Sequence, residues 1–139
     1  MKKLCVLLLM SLLSPLVGCG GHVGLEGKVT YSDDGSPLTV GTVVFKKGSR
    51  ISQGDLRADG TYTIGSLADE DGLPPGEYLV YVYGAEKILV PASGSGPAVT
   101  EPLIDPKYFN VETSGLSIEV KRKTQFDFQV DRYIVPKKK

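Results

Sequence analysis

Tryptophan is absent from the 139 residues, histidine occurs once, and cysteine occurs twice. That scarcity removes whole classes of chemistry. Zinc sites of the usual kind draw three or four ligands from Cys and His, and a thiol nucleophile needs a free cysteine beside an oriented base. Cys5 lies inside the N-terminal apolar run and Cys19 directly follows it, so no disulfide is expected within the folded part. Stability must then come from a packed core. The single histidine, His22, stands three residues from Cys19. A catalytic base needs a walled, orienting pocket, so His22 is read as a solvated tether residue. Long hydrophobic runs are missing too. The one apolar stretch, residues 4–13, is well short of the roughly 20 residues that span a bilayer as a helix. Neither sign of charge dominates, with 16 basic and 16 acidic residues, which gives no reason to expect a nucleic-acid partner.

What the N-terminus does contain is ordered like an export signal. Met1-Lys2-Lys3 is a short positive region, residues 4–13 are apolar, and Ser14-Pro15 breaks any helix before Leu16-Val17-Gly18-Cys19. That last stretch resembles the bacterial lipobox, in which an apolar and two small residues precede an obligatory cysteine. The resemblance implies a signal peptide over residues 1–18, cleavage after Gly18, a diacylglyceryl thioether on Cys19 and a further acyl chain such as palmitate on its new amino group. One acyl chain binds membrane marginally, whereas two or more anchor it stably. The alternative, an ordinary secretory signal, leaves a lone exposed thiol at Cys19, which suits an exported protein poorly. The expected location is the cell envelope, with the lipid on Cys19 as the membrane contact. Gly20 lacks the aspartate that retains many lipoproteins at the inner membrane, which favours the outer membrane or periplasmic face. Removing the leader leaves 121 residues, enough for one domain. A tether over residues 19–23 holds that domain within about 20 Å of the lipid, at roughly 3.3 to 3.6 Å per residue.

From Leu25 onward apolar residues recur with period two, the mark of half-buried strands, and helical spacing is nowhere sustained. Leu25, Val29 and Tyr31 share one face, with Glu26, Lys28 and Thr30 on the other. A turn cluster at residues 33–37 leads to a strand over residues 41–47, where Val43 and Phe45 are the core pair and Val44 is left unassigned. Residues 51–57 form a more polar strand, placed near a sheet edge. Asp59-Gly60 predicts a hairpin joining Leu56-Arg57 to Tyr62-Thr63-Ile64. In residues 77–83, Tyr78, Val80 and Val82 occupy one face and Leu79, Tyr81 and Tyr83 the other, so this strand is expected to be central. Residues 87–90 form another strand, 91–97 a long exposed loop, and order returns near Leu103. Leu116, Ile118 and Val120, then Phe126, Phe128 and Val130, predict a closing hairpin across residues 122–124. The expected fold is all-β, a single antiparallel β-sandwich of seven or eight strands over residues 24–133, with a basic tail at 134–139.

Several segments together resemble small bacterial lipoproteins whose mature part is a carboxypeptidase-regulatory-like, transthyretin (prealbumin)-type β-sandwich. They are Leu25-Glu26-Gly27-Lys28-Val29-Thr30-Tyr31 with Pro37-Leu38, Gly41-Thr42-Val43-Val44-Phe45, Ala58-Asp59-Gly60-Thr61-Tyr62-Thr63-Ile64 and Pro74-Pro75-Gly76-Glu77-Tyr78. Pro106-Lys107-Tyr108, Thr113-Ser114-Gly115-Leu116 and Phe126-Asp127-Phe128 complete the set. The resemblance implies fold and envelope location and brings no catalytic residue and no cofactor. Residues 86–102 and the tail after Asp131 depart from the pattern.

Within the mature chain, Asp33, Asp34, Asp55, Asp59, Asp69, Glu70 and Asp71 lie in predicted turns or loops, but their spacing matches no calcium loop. The seven tyrosines are more informative. If Tyr78, Val80 and Val82 face the core, then Leu79, Tyr81 and Tyr83 form an amphipathic contact platform, unless the 86–102 segment covers it. Lys121-Arg122-Lys123 and the terminal lysines are read first as a solvated turn and a frayed tail, and second as contacts to anionic headgroups. These features lead to the expectation of a non-enzymatic envelope module that docks a membrane-proximal protein partner. A carbohydrate-binding accessory lipoprotein, with glycan on the tyrosine face, is the alternative.

Overall fold

The alternation that begins at Leu25 becomes strand β1 (Leu25–Tyr31), with Leu25, Gly27, Val29 and Tyr31 buried and Glu26 and Lys28 exposed. This computed structural model describes residues 21–66 and 71–137. Cys19, Asp69 and Glu70, with the predicted signal segment, lie outside the described residues. The remaining strands are β2 (Thr42–Lys47), β3 (Arg50–Asp55), β4 (Thr61–Thr63), β5 (Gly76–Tyr83), β6 (Glu86–Val90), β7 (Val99–Pro102), β8 (Leu116–Val120), β9 (Thr124–Gln125) and β10 (Phe128–Val130). A short 3-10 helix spans Pro106–Phe109.

Eight of these strands form two four-stranded sheets. One has the order β3-β2-β5-β8, and the other has the order β10-β1-β4 with β9 also on β1. A single apolar core joins them, drawing Val29, Tyr62, Ile64 and Val130 from one sheet or its margins and Val43, Phe45, Tyr78, Val80 and Val82 from the other. Phe45 lies at the junction, with ring centroids 6.2 Å from both Tyr62 and Phe126. The fold is an all-β sandwich, as the alternating pattern predicts. β3 is an edge strand and β5 is interior to its sheet, also as expected.

Three local expectations are corrected. The Asp59-Gly60 turn forms, with Arg57 N–H donating to the Thr61 carbonyl at 2.8 Å, but β3 and β4 enter different sheets. β4 pairs antiparallel with β1, and the two flanks meet at a bridge between Gln53 and Gly65 rather than in a ladder. The predicted closing hairpin is absent. β8 pairs with β5, while β9 and β10 run parallel to β1, because the 121–123 turn crosses between the layers. Finally, residues 99–102 are ordered as β7 against β6, ahead of the predicted return at Leu103.

Gly27 permits the pairing on both sides of β1. A Cβ there would sit 1.9 Å from the Phe126 carbonyl oxygen and 2.7 Å from the Tyr62 hydroxyl, so no other residue fits. The chain enters the domain at Val23, which bridges Leu73 just before β5 begins. Val23 therefore lies at the Gly76 end of β5, and Tyr83 marks the opposite end.

Candidate functional site

The two faces of β5 have different fates. Tyr78, Val80 and Val82 are buried in the core, as their alternation predicts. Leu79 and Tyr83 on the other face are 51% and 69% exposed, and Tyr81 is half-buried. Segment 86–102 does not cover them.

The register of the sheet builds the rest of this face. Tyr83 pairs with Thr42, which pairs with Asp55, and Tyr81 pairs with Val44, which pairs with Gln53. A third row runs from Ile51 through Lys46 and Leu79 to Ser117. Paired residues point the same way, so each row lies on the outer face. Val44, unassigned by the alternation, is on this face, yet it is only 3% exposed between Tyr81 and Gln53. The outcome is an apolar stripe of Ile51, Val44, Leu79, Tyr81 and Tyr83. It carries a polar border of Gln53, Asp55 and Thr42, whose hydroxyl donates to Asp55 at 2.6 Å.

Three tyrosine hydroxyls are bonded within the domain. Tyr62 donates to the Phe126 carbonyl at 2.5 Å, Tyr78 to the Pro74 carbonyl at 2.7 Å, and Tyr108 to Asp131 at 3.1 Å. Burial pushes the Tyr62 hydroxyl pKa well upward and also raises that of Tyr78. Among the described residues, the Tyr81 and Tyr83 hydroxyls have no such partner, so each ring offers an apolar body with a free polar tip.

Toward the Gly76 end of β5 the same face sinks into a shallow depression of about 520 Å³, bordered by Lys46, Lys47, Glu77, Leu79, Ser117 and Glu119. Both signs of charge border it, and it is open. The carboxylates considered from sequence have other occupations. Asp33 and Asp34 hold Arg132, Asp59 accepts from Thr61, and Asp71 accepts from the Ser66 N–H. His22 is exposed at the domain entrance.

The structure therefore brings Leu79, Tyr81 and Tyr83 together, while the predicted lipidation residue Cys19 is outside the described residues. Sequence reasoning missed Ile51, Gln53, Thr42 and Asp55 as members of this face. Period two puts Ile51, Gln53 and Asp55 on one side of their strand, but only cross-strand register reveals which neighbours they meet.

No family model and no curated protein matches the chain. Among solved structures, a DUF3823 family protein from Bacteroides ovatus aligns with a TM-score of 0.44 and 18% identity, covering 81% of this chain and 45% of that one. A 9R-lipoxygenase from Cyanothece aligns with a TM-score of 0.39 and 15% identity, over 78% of this chain and 16% of that one. The chain thus spans less than half the length of either.

Proposed function

We propose that this protein is a non-enzymatic lipoprotein of the cell envelope, held to the membrane by lipid on Cys19. In this reading its transthyretin-type sandwich presents the Leu79-Tyr81-Tyr83 face to a membrane-proximal protein. The observation that carries the reading is the two-sided β5, whose inner face locks the core while its outer face exposes a rigid aromatic stripe with unpaired hydroxyls. Monomeric proteins seldom leave such stripes without use, and tyrosine on a rigid strand gives contact area at low entropic cost. Because Val23 is already fixed to Leu73, the free tether from Cys19 is about four residues and reaches roughly 14 Å. In this reading the domain is held close to the bilayer, which favours a membrane-proximal partner.

Gln53 and Asp55 beside the tyrosines favour a second reading, glycan stacked on the rings with its hydroxyls bonded to that border. In-cell crosslinking of the tagged protein, compared with a Tyr81→Ser/Tyr83→Ser variant, separates the two. Loss of one defined membrane protein from the captured material supports the docking reading, and loss of glycan supports the second. Capture unchanged by the substitutions would overturn both.

A further inference from the structure

Strands β6 and β7 form a ribbon that leaves the sandwich after Ala85 and rejoins it at Leu103, whose N–H donates to the Ala85 carbonyl at 2.9 Å. Every residue from 87 to 100 is exposed, and Ile88, Leu89, Val90 and Val99 are each at least half exposed. A two-stranded ribbon is marginal in water unless a third strand pairs with it or another surface covers an apolar face. Edge pairing is disfavoured here. Pro102 within β7 lacks an N–H donor, Pro91 stops β6 from extending, and the register shifts between Ile88 and Val90. What remains is packing on a face.

The register assigns that face. Val90 pairs with Val99 and Lys87 with Glu101. Val99 and Glu101 point the same way because side chains alternate along β7, and the unpaired Leu89 at the register shift brings Val90 to the side of Lys87, so Lys87, Val90, Val99 and Glu101 form one surface. Its apolar pair lies toward the tip, and its oppositely charged pair lies toward the base. Let a second copy be rotated by half a turn about an axis running along the ribbon. β6 of each copy then lies over β7 of the other, which sets Lys87 over the partner's Glu101 and Val90 over the partner's Val99, each contact occurring twice. The face is complementary to itself in both charge and apolarity.

We infer that the ribbon is a self-association arm whose occupant is the ribbon of a second copy of this chain. This rests on the proposed lipid anchor in one respect. The tether enters beside Leu73 at one end of β5, while the ribbon departs beyond Tyr83 at the other. An axis along the ribbon keeps both tethers at the same end, as one membrane requires. A ribbon face is smaller than the roughly 800 Å² per partner of an ordinary stable interface. Copies therefore pair when a shared membrane raises their effective concentration, and separate in dilute solution.

The test places a photo-crosslinking benzophenone residue at Ser95, near the ribbon tip, or at Ser49, in the turn at the opposite end, in the full-length protein in its own membranes. Crosslinked dimer is expected from position 95 and not from 49. Lys87→Glu alone, or Glu101→Lys alone, should lower that yield about fivefold, the size expected when two exposed attractive pairs turn repulsive. Membranes holding both variants should recover it, in dimers of unlike copies. Charge pairing within each copy stays repulsive in the mixture, so repair of the ribbon itself does not explain recovery. Absence of wild-type dimer, absence of recovery in the mixture, or crosslinks only to lipid or to another protein would overturn the inference. Should the protein fractionate away from membranes, the anchor reading fails on its own. The mature domain coupled through its Cys19 thiol to maleimide lipid in vesicles then gives the same readout of the arm.

Discussion

The Arg132 guanidinium lies over the ring of Tyr31, its central carbon 3.7 Å from the ring centroid, while its Nε donates to Asp33 at 2.9 Å. Its Nη2 also reaches Asp34 at 3.2 Å. Beside it, Asp131 accepts from Lys107 at 2.6 Å, from Ser32 at 2.7 Å and from Tyr108 at 3.1 Å. These bonds fasten the C-terminal segment to the turn after β1, reinforcing the parallel pairing of Tyr31 with Val130. The cation over the ring and the carboxylates around it close a domain that has no disulfide.

This clasp predicts acid sensitivity. Hydrogen bonds from Lys107, then Ser32 and Tyr108, hold the Asp131 carboxyl down from 3.8 to about 2. A carboxyl whose folded pKa is depressed contributes stability above its unfolded value and loses it as pH falls toward the folded one. The contribution should therefore be complete above about pH 4 and fade between there and about pH 2. Hydrogen bonds from Ser36 hold Asp34 low, and those from Thr61 hold Asp59 low, in the same direction. Thermal melts across this window should show wild type losing more of its melting temperature than Asp131→Asn. Equal losses would remove Asp131 from the account.

Gly27→Ala should be severe. Its Cβ would meet backbone, the Phe126 carbonyl at 1.9 Å, and backbone does not step aside as a flexible side chain does. We expect a loss of about 3 kcal/mol or more, at the upper end of what overpacking causes. Tyr62→Phe, which leaves the same carbonyl without its hydroxyl donor, should cost about 1–2 kcal/mol. Urea unfolding of both variants checks the order. A mild Gly27→Ala would mean that the Phe126 backbone lies farther than 1.9 Å from that Cβ position.

The alternation of Leu25, Val29 and Tyr31, and that of Tyr78, Val80 and Val82, was sufficient to read the sandwich and its central strand from sequence. A one-residue slip would bury the wrong set, so period two carries that information. Partner choice between strands was not legible. Asp59-Gly60 specifies a turn, and a turn does not dictate that its flanks stay in one sheet. Likewise, Phe126 and Phe128 declare an inward face but not that they lie parallel to β1, which depends on a missing side chain at Gly27. The site was legible along one strand, as Leu79, Tyr81 and Tyr83, and illegible across strands, where Gln53 and Asp55 join it by register.

Substituting Leu79, Tyr81 and Tyr83 by serine should leave the fold nearly unchanged. The exposed Leu79 and Tyr83 should each shift stability by about 0.5 kcal/mol or less, and the half-buried Tyr81, paired across the sheet with Val44, by about 1 kcal/mol. Tyr78→Ser on the opposite face should instead cost about 3–5 kcal/mol, as truncation of a buried aromatic does. A large destabilisation from the outer-face change would make that stripe part of the core rather than a contact surface.

Cys19→Ser should move the protein from the membrane fraction to the soluble fraction of the envelope and abolish incorporation of labelled fatty acid. A variant that stays in the membrane with no label in wild type would contradict the lipid anchor.

The most direct test of the docking face is tyrosine footprinting, comparing the purified mature protein with the same protein in its native membranes. The exposed Tyr83 should react readily when purified, and the buried Tyr62 and Tyr78 serve as unreactive internal controls. Tyr83, and Tyr81 beside it, should be strongly protected in native membranes while Tyr133 in the C-terminal segment is not. Equal modification of Tyr83 in both settings would contradict it.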